Sequence, residues 1–169
     1  MPSQTLRWFG ALLFTILVPG TVTVVLPYSI LGRSITFELR SWSIPQSIGL
    51  VLLLLGLGVY LRCLRDFVVA GRGLPSPVDH PKNLVVVGLY CYVRNPIYLG
   101  VLSILLGEVL VFRSLALLQY AALWLLYMNV VVLVYEEPNL RSRFGQSYDR
   151  YCRHVRRWIP GRPYDQSAG

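Results

Sequence analysis

Residues 88–100 read GLYCYVRNPIYLG, and residues 135–140 read YEEPNL. The 22 residues 114–135 carry no charge, so Glu136 and Glu137 stand at the end of a long apolar segment, and Arg94 stands just before another. Polar groups at the edge of hydrocarbon are costly to hold there, which makes them functional candidates. The simpler alternative is that the two carboxylates mark a helix emerging into water.

Composition places the chain in a membrane. Of its 169 residues, 54% are hydrophobic and only 14% are charged, against about 25% charged in an average soluble domain. The basic residues behind the net charge of +8 flank the apolar segments, as in cytoplasmic loops beside anionic lipid. This distribution argues against a nucleic-acid partner. The three cysteines and two histidines show no metal-ligand spacing.

Four apolar segments predict an all-α polytopic membrane protein with a single domain. We expect about four transmembrane helices, at residues 8–31, 45–67, 96–112 and 115–135. Pro19 and Gly20 predict a kink or a pair of half-helices in the first, and Gly56 and Gly58 allow close helix approach in the second. The flanking basic residues predict that both termini are cytoplasmic.

The last two helices should form an antiparallel hairpin that turns at Arg113 and Ser114. A hairpin returns the chain to the membrane face it left, so residues 94–98 and the two glutamates should lie together. That end would offer carboxylates, an amide, a phenol and the free N–H groups of a helix start. Such a set suits a zwitterion that also carries a positive centre.

Beyond Pro138, apolar residues recur every three or four positions with arginines opposite them, which predicts one amphipathic helix at the membrane surface. The apolar positions are Leu140, Phe144, Tyr148, Tyr151 and Val155. Trp158 and Pro160 should end this helix, and residues 161–169 should be loose. The Pro-rich segment 70–87 predicts a cytoplasmic connector that could fold over a site.

The ordered pattern Gly-x-Tyr-x-x-x-Arg-Asn-Pro-x-Tyr, a hairpin, Glu-Glu-x-x-Leu and a tyrosine-rich tail resembles the isoprenylcysteine carboxyl methyltransferase and phospholipid methyltransferase superfamily. The resemblance covers roughly residues 71–160; each piece is weak alone, but the joint pattern is specific. These integral membrane enzymes use S-adenosylmethionine. The resemblance therefore implies methyl transfer to a lipidic or apolar acceptor at the cytoplasmic face of a membrane.

The resemblance also implies which residues bind the cofactor. They are Leu84, Val85, Tyr90, Arg94, Asn95, Pro96, Tyr98, Glu136 and Glu137. Leu84 and Val85 would line the adenosyl pocket, and Glu136 would accept hydrogen bonds from the methionyl ammonium or the ribose. Glu137 and Arg94 would serve as partner charges. In the phospholipid branch a Gly-x-Gly is also tied to the cofactor, so Gly56 and Gly58 have this role or a packing role.

Two positions depart from the prenylcysteine enzymes. Val132 stands where those enzymes carry an arginine thought to hold the substrate carboxylate, and Asn95 stands in place of a histidine. Both departures weaken the case for prenylcysteine as the acceptor, but not the case for the cofactor.

Other polar residues in the apolar segments leave alternatives open. Glu108 could deprotonate an acceptor, or it could lie near the far interface beside Arg113. Tyr127 and Asn129 could contact the acceptor or form interhelical hydrogen bonds. Broken helices and buried charges also mark transport pathways, so a non-catalytic carrier or accessory protein is the alternative function.

Overall fold

The computed structural model describes residues 4–32, 42–71 and 84–164. Within these ranges the chain is helical, and its only extended pairing is a parallel bridge between Val93 and Arg156. The α-helices are α1 (Gln4–Leu17), α2 (Leu26–Leu31), α3 (Ile44–Asp66), α4 (Pro96–Phe112), α5 (Leu115–Val131), α6 (Glu137–Phe144) and α7 (Gln146–His154). Shorter helical turns lie between them. Three are π-helical, Thr21–Val25, Phe67–Gly71 and Val132–Glu136, and one is a 3-10 turn, Gly88–Cys91.

The helices confirm the prediction of an all-α polytopic membrane protein. Three helical segments of the described chain, Thr5–Leu31, Ile44–Ala70 and Leu115–Phe144, are long and apolar enough to cross a membrane. Helix α4 is equally apolar but shorter, at 17 residues. At about 1.5 Å per residue it is shorter than a hydrocarbon core of about 30 Å.

The first span is irregular around Pro19, but it is one helical segment, Thr5–Leu31, rather than the pair of half-helices that was one of the two expectations. Helix α1 ends at Leu17 and a π-helical turn follows, because proline has no N–H to donate to the preceding turn. The Val22 amide still bonds the Val18 carbonyl at 3.1 Å, and the Thr23 hydroxyl bonds the Pro19 carbonyl at 2.8 Å. The span therefore continues through the proline as an irregular helix.

Glycines bring α3 and α4 into backbone contact. A Cβ atom built on Gly56 would lie 2.6 Å from the Gly100 carbonyl oxygen, and one on Gly49 would lie 2.7 Å from that of Gly107. The prediction of close approach is confirmed at Gly56 but wrong at Gly58, where a Cβ atom would meet nothing within 4 Å. Small residues let membrane helices approach in this way.

The hairpin between α4 and α5 turns where predicted. Arg113 adopts a left-handed conformation with φ of 50°, and the Ser114 hydroxyl caps α5 by accepting the Leu117 amide at 3.3 Å. The Arg113 guanidinium donates to the Ser43 hydroxyl at 2.7 Å, which ties the turn to the start of α3.

The prediction of one amphipathic helix after Pro138 is wrong in two respects. Gly145, with φ of 51°, separates α6 from α7. The apolar face packs on the protein: Tyr148, Tyr151 and Val155 are at most 3% exposed and form a core cluster with Val86. The break lets α7 turn back onto the segment before α4.

The segment after α7 is ordered as far as the structure describes it. The Gly161 amide bonds the Tyr92 carbonyl, and the Tyr164 amide bonds the Cys91 carbonyl, both at 2.9 Å. The prediction of a loose tail is therefore wrong for residues 161–164. Most of the Pro-rich connector, residues 72–83, lies outside the described residues, as do residues 165–169.

The glycine contact predicts opposite effects for two neighbouring substitutions. Gly56→Ala should lower stability by about 1–3 kcal/mol, because the added methyl group must separate α3 from α4. Gly58→Ala has open space and should gain up to about 1 kcal/mol from helix propensity. Unfolding of both variants in the same detergent measures the difference. Equal free energies of unfolding for the two variants would contradict the close contact between α3 and α4 at Gly56.

Candidate functional site

A cavity of about 450 Å³ lies between the helices and is lined by residues from α1, α3, residues 84–95, α4, α5, α6 and α7. Its volume falls within the range of about 300–1,000 Å³ that is usual for small-molecule sites. All the expected cofactor-binding residues except Pro96 and Glu137 line it. Pro96 is fully buried in the first turn of α4, and Glu137 points toward guanidinium groups instead.

The hairpin brings Asn95, Tyr98 and Glu136 to one end of this cavity. The Tyr98 hydroxyl donates a hydrogen bond to the Glu136 carboxylate. The Tyr98 ring also packs edge-on against Trp124, with ring centroids 6.3 Å apart. Glu136 is therefore held by a residue of the partner helix, and its carboxylate lines the cavity.

Glu137 is held by two arginines. The Arg157 guanidinium donates to both of its carboxylate oxygens, at 2.7 and 2.9 Å, and Arg94 approaches to 3.3 Å. Arg94 and Glu137, which the resemblance assigned as partner charges, do form an ion pair. Arg157 was missed, because in the sequence it is one of several arginines on the polar face of the tail.

The segment after α7 also fixes the start of α4. The Arg94 amide bonds the Arg156 carbonyl at 2.9 Å, and the Asn95 amide group donates to the Arg157 carbonyl at 3.3 Å. Nearby, the Trp158 indole donates to the Asn129 side chain at 3.0 Å. Asn129 thus has a structural hydrogen bond, although its partner is the returning segment rather than a helix.

Two polar atoms of the cavity lining are buried without a hydrogen-bond partner among the described residues: Nε of Arg94 and the hydroxyl of Tyr90. Beside Tyr90 lies the thiol of Cys63, which is only a weak hydrogen-bonding group. Burial raises the pKa of Tyr90 well above its usual value, so its hydroxyl stays protonated and can donate. Buried polar atoms normally have strong partners, so both atoms remain available as hydrogen-bond donors.

Glu108 lies away from this site. Glu108 is only 8% exposed, and it does not line the cavity. Its Oε2 atom has no hydrogen-bond partner among the described residues. Arg113, the expected neighbour, bonds Ser43 instead. Tyr127, in contrast, does line the cavity.

Comparison with known proteins adds two findings. A family model described as phospholipid methyltransferase matches residues 44–147. The chain is also 35% identical over 110 residues to the protein-S-isoprenylcysteine O-methyltransferase of Schizosaccharomyces pombe. That match covers 62% of this chain but 45% of the relative, so the chain spans less than half of the relative's length. No solved structure matches.

The two adjacent glutamates should differ sharply in their effect on stability. Glu137→Gln leaves the charges of Arg94 and Arg157 without their carboxylate and should destabilise the protein by about 3 kcal/mol. Glu136→Gln keeps an acceptor for the Tyr98 hydroxyl and should cost less than about 1 kcal/mol. Equilibrium unfolding in detergent provides the comparison, and an equal loss in both variants would refute this assignment.

Proposed function

This chain belongs to the phospholipid methyltransferase family, and on that premise we propose that it transfers a methyl group from S-adenosylmethionine to a lipidic or apolar acceptor. The observation that carries the proposal is the polar end of the cavity, formed by Tyr90, Arg94, Asn95, Tyr98 and Glu136. This end combines a fixed carboxylate with two unpartnered buried polar atoms. The rest of the cavity runs between membrane helices.

The polar end fits the chemical groups of the cofactor. The Glu136 carboxylate would accept hydrogen bonds from its ammonium group or its ribose, and attracts positive charge strongly at a site shielded from water. Tyr90 and Arg94 would donate to its acceptor atoms. Leu84 and Val85 would line the adenosyl pocket. When bound, S-adenosylmethionine supplies a methyl group attached to a positively charged sulfur.

The protein's own contribution would be alignment and the exclusion of water rather than acid catalysis. Holding the two reactants in the aligned geometry removes much of the entropic barrier to a displacement reaction. A site that excludes water also prevents competing hydrolysis of the reactants. Tyr98 holds the Glu136 side chain in place, and Trp124 in turn packs against Tyr98. The site would therefore be organised before the reactants meet.

We propose that the site faces the cytoplasm. Helix α1, the N-terminal part of the first span, contacts the Phe67–Gly71 turn. The N-terminus would therefore lie on the same side of the membrane as the site and the C-terminal helices. The arginines of α6 and α7 are concentrated on this side. An excess of arginine is typical of the cytoplasmic face, here of a bacterial inner membrane.

The acceptor is proposed from the family and from the position of Val132. The printed name of the relative refers to isoprenylcysteine, and the family description refers to phospholipid. Val132, which stands where prenylcysteine enzymes carry a carboxylate-binding arginine, is 1% exposed and does not line the cavity. This favours an apolar acceptor that is not bound through a carboxylate group of its own. Of the two features behind the carrier alternative, Pro19 lines the cavity and Glu108 does not.

Cofactor binding tests the proposal directly. Titration of the purified protein with S-adenosylhomocysteine should release heat, and Glu136→Gln should weaken the affinity at least about tenfold, since hydrogen bonds to charged groups contribute about 1.5–3 kcal/mol. Glu108→Gln is the matched control, because Glu108 lies away from the cavity, and it should bind normally. Folded wild-type protein that binds neither S-adenosylhomocysteine nor S-adenosylmethionine would disprove the proposal.

A further inference from the structure

A groove separate from the cavity runs along the outer side of α3, and we call it the outer groove. Among the described residues, none lines both the groove and the cavity. Positions two apart on a helix face in roughly opposite directions, so Gly58 lines the groove while Tyr60 lines the cavity. The 3-10 turn Gly88–Cys91 and the tail after α7 complete the groove. Its lining residues from α3 are Leu54, Leu55, Gly58, Val59 and Arg62.

We propose that the outer groove binds one anionic phospholipid of the surrounding bilayer. The phosphate would lie at Arg62, and an acyl chain would lie along Leu54, Leu55 and Gly58. This lipid would be a bound component of the protein rather than the methyl acceptor, because the groove shares no lining residue with the site described above. The inference therefore goes beyond the proposed function and does not depend on it.

The lower part of the groove suits an acyl chain. Leu54 and Leu55 are 57% and 60% exposed, and they lie in a helix that is apolar enough to cross a membrane. Gly58 follows one turn further on, and a Cβ atom built there would meet nothing within 4 Å. Since Gly58 is not needed for contact between helices, its missing side chain serves to leave room in the groove.

The upper part of the groove suits a phosphate group. Arg62 lies one turn beyond Gly58 and is the only charged residue among the described residues that line the groove. Its side chain is 55% exposed, and Asp66 approaches only its Nε atom, at 3.5 Å. The two terminal nitrogens of Arg62 therefore have no partner among the described residues. A guanidinium group can donate two parallel hydrogen bonds to a phosphate.

Two tyrosines place the upper part of the groove at the level of lipid headgroups. Tyr92 and Tyr164 both line it, and tyrosine is enriched where a membrane meets water. The tail that carries Tyr164 is fixed here, because the Gly161 amide bonds the Tyr92 carbonyl and the Tyr164 amide bonds the Cys91 carbonyl, both at 2.9 Å. A basic group above an apolar groove at this level is the arrangement that recognises an anionic headgroup.

Native mass spectrometry of the 169-residue chain, released from detergent, tests the proposal. The probes are phosphatidylglycerol and phosphatidylcholine with identical acyl chains, added at equal concentration. We expect one retained phosphatidylglycerol molecule, preferred about fivefold over phosphatidylcholine, which is the selectivity that one arginine gives for an anionic lipid. A protein that retains no lipid, or that retains the two lipids equally, would overturn the proposal.

Two matched pairs of variants locate the lipid. Arg62→Gln should abolish the preference for phosphatidylglycerol, whereas Arg65→Gln should keep it, because Arg65 is exposed on the same helix but does not line the groove. Gly58→Phe should fill the groove and lower the retention of both lipids at least about tenfold, the effect of displacing two methylene groups. Leu57→Phe places the same ring at a neighbouring position outside the groove and should lower neither.

The two pairs fail independently of each other. Gly58→Phe leaves the contact between Arg62 and Asp66 intact, so it tests the groove even if Arg62→Gln does not fold. Equal lipid preference in Arg62→Gln and Arg65→Gln would overturn the assignment of the phosphate to Arg62. Equal retention in Gly58→Phe and Leu57→Phe would show that no acyl chain lies in the groove.

Discussion

The site depends on the ion pairs that Glu137 makes with Arg94 and Arg157. Consecutive residues on a helix point about 100° apart, so fixing Glu137 toward the two guanidinium groups directs Glu136 toward Tyr98 and the cavity. The pairs also join three parts of the chain: the segment before α4, the start of α6, and the segment after α7. Removing one partner would leave a poorly solvated charge behind. The carboxylate of Glu137, which is held in ion pairs, thus positions the neighbouring Glu136 carboxylate, which is the candidate binding group.

The tail beyond α6 completes the site. Gly145 breaks the helix with a positive φ, and α7 then packs Tyr148 and Tyr151 onto the segment before α4. The Tyr151 hydroxyl donates to the Tyr90 carbonyl at 2.6 Å, which secures the 3-10 turn that carries Tyr90. A continuous helix would have carried these tyrosines away along the membrane surface. The turn at one glycine therefore converts a surface helix into a wall of the cavity.

Much of the fold could be predicted because hydrophobic runs and turn residues are encoded locally. The four apolar segments, the turn at Arg113 and the meeting of Tyr98 with Glu136 all follow from such features. Contacts that depend on the register between helices could not be predicted: Gly49 and Gly107 carry no local sign that they meet. Nor could Arg157 be distinguished from neighbouring arginines, because its role depends on where the chain returns after Gly145. The prediction of one amphipathic helix failed since periodicity shows which face is apolar, not whether lipid or protein covers it.

The two regions of the cavity make different demands on the chain. The polar end requires donors and acceptors at fixed positions, and it is built from residues whose backbone and side chains are tied by ion pairs and hydrogen bonds. The apolar part of the cavity, whose lining includes Phe14, Val18 and Val22, requires only shape. The first span, which forms this wall, is attached by a few contacts, including hydrogen bonds at Thr15 and Val22. A buried polar group left without its partner loses far more binding than a small change of apolar shape. Substitutions in the first span can therefore change the shape of the apolar part of the cavity while the polar end stays constant.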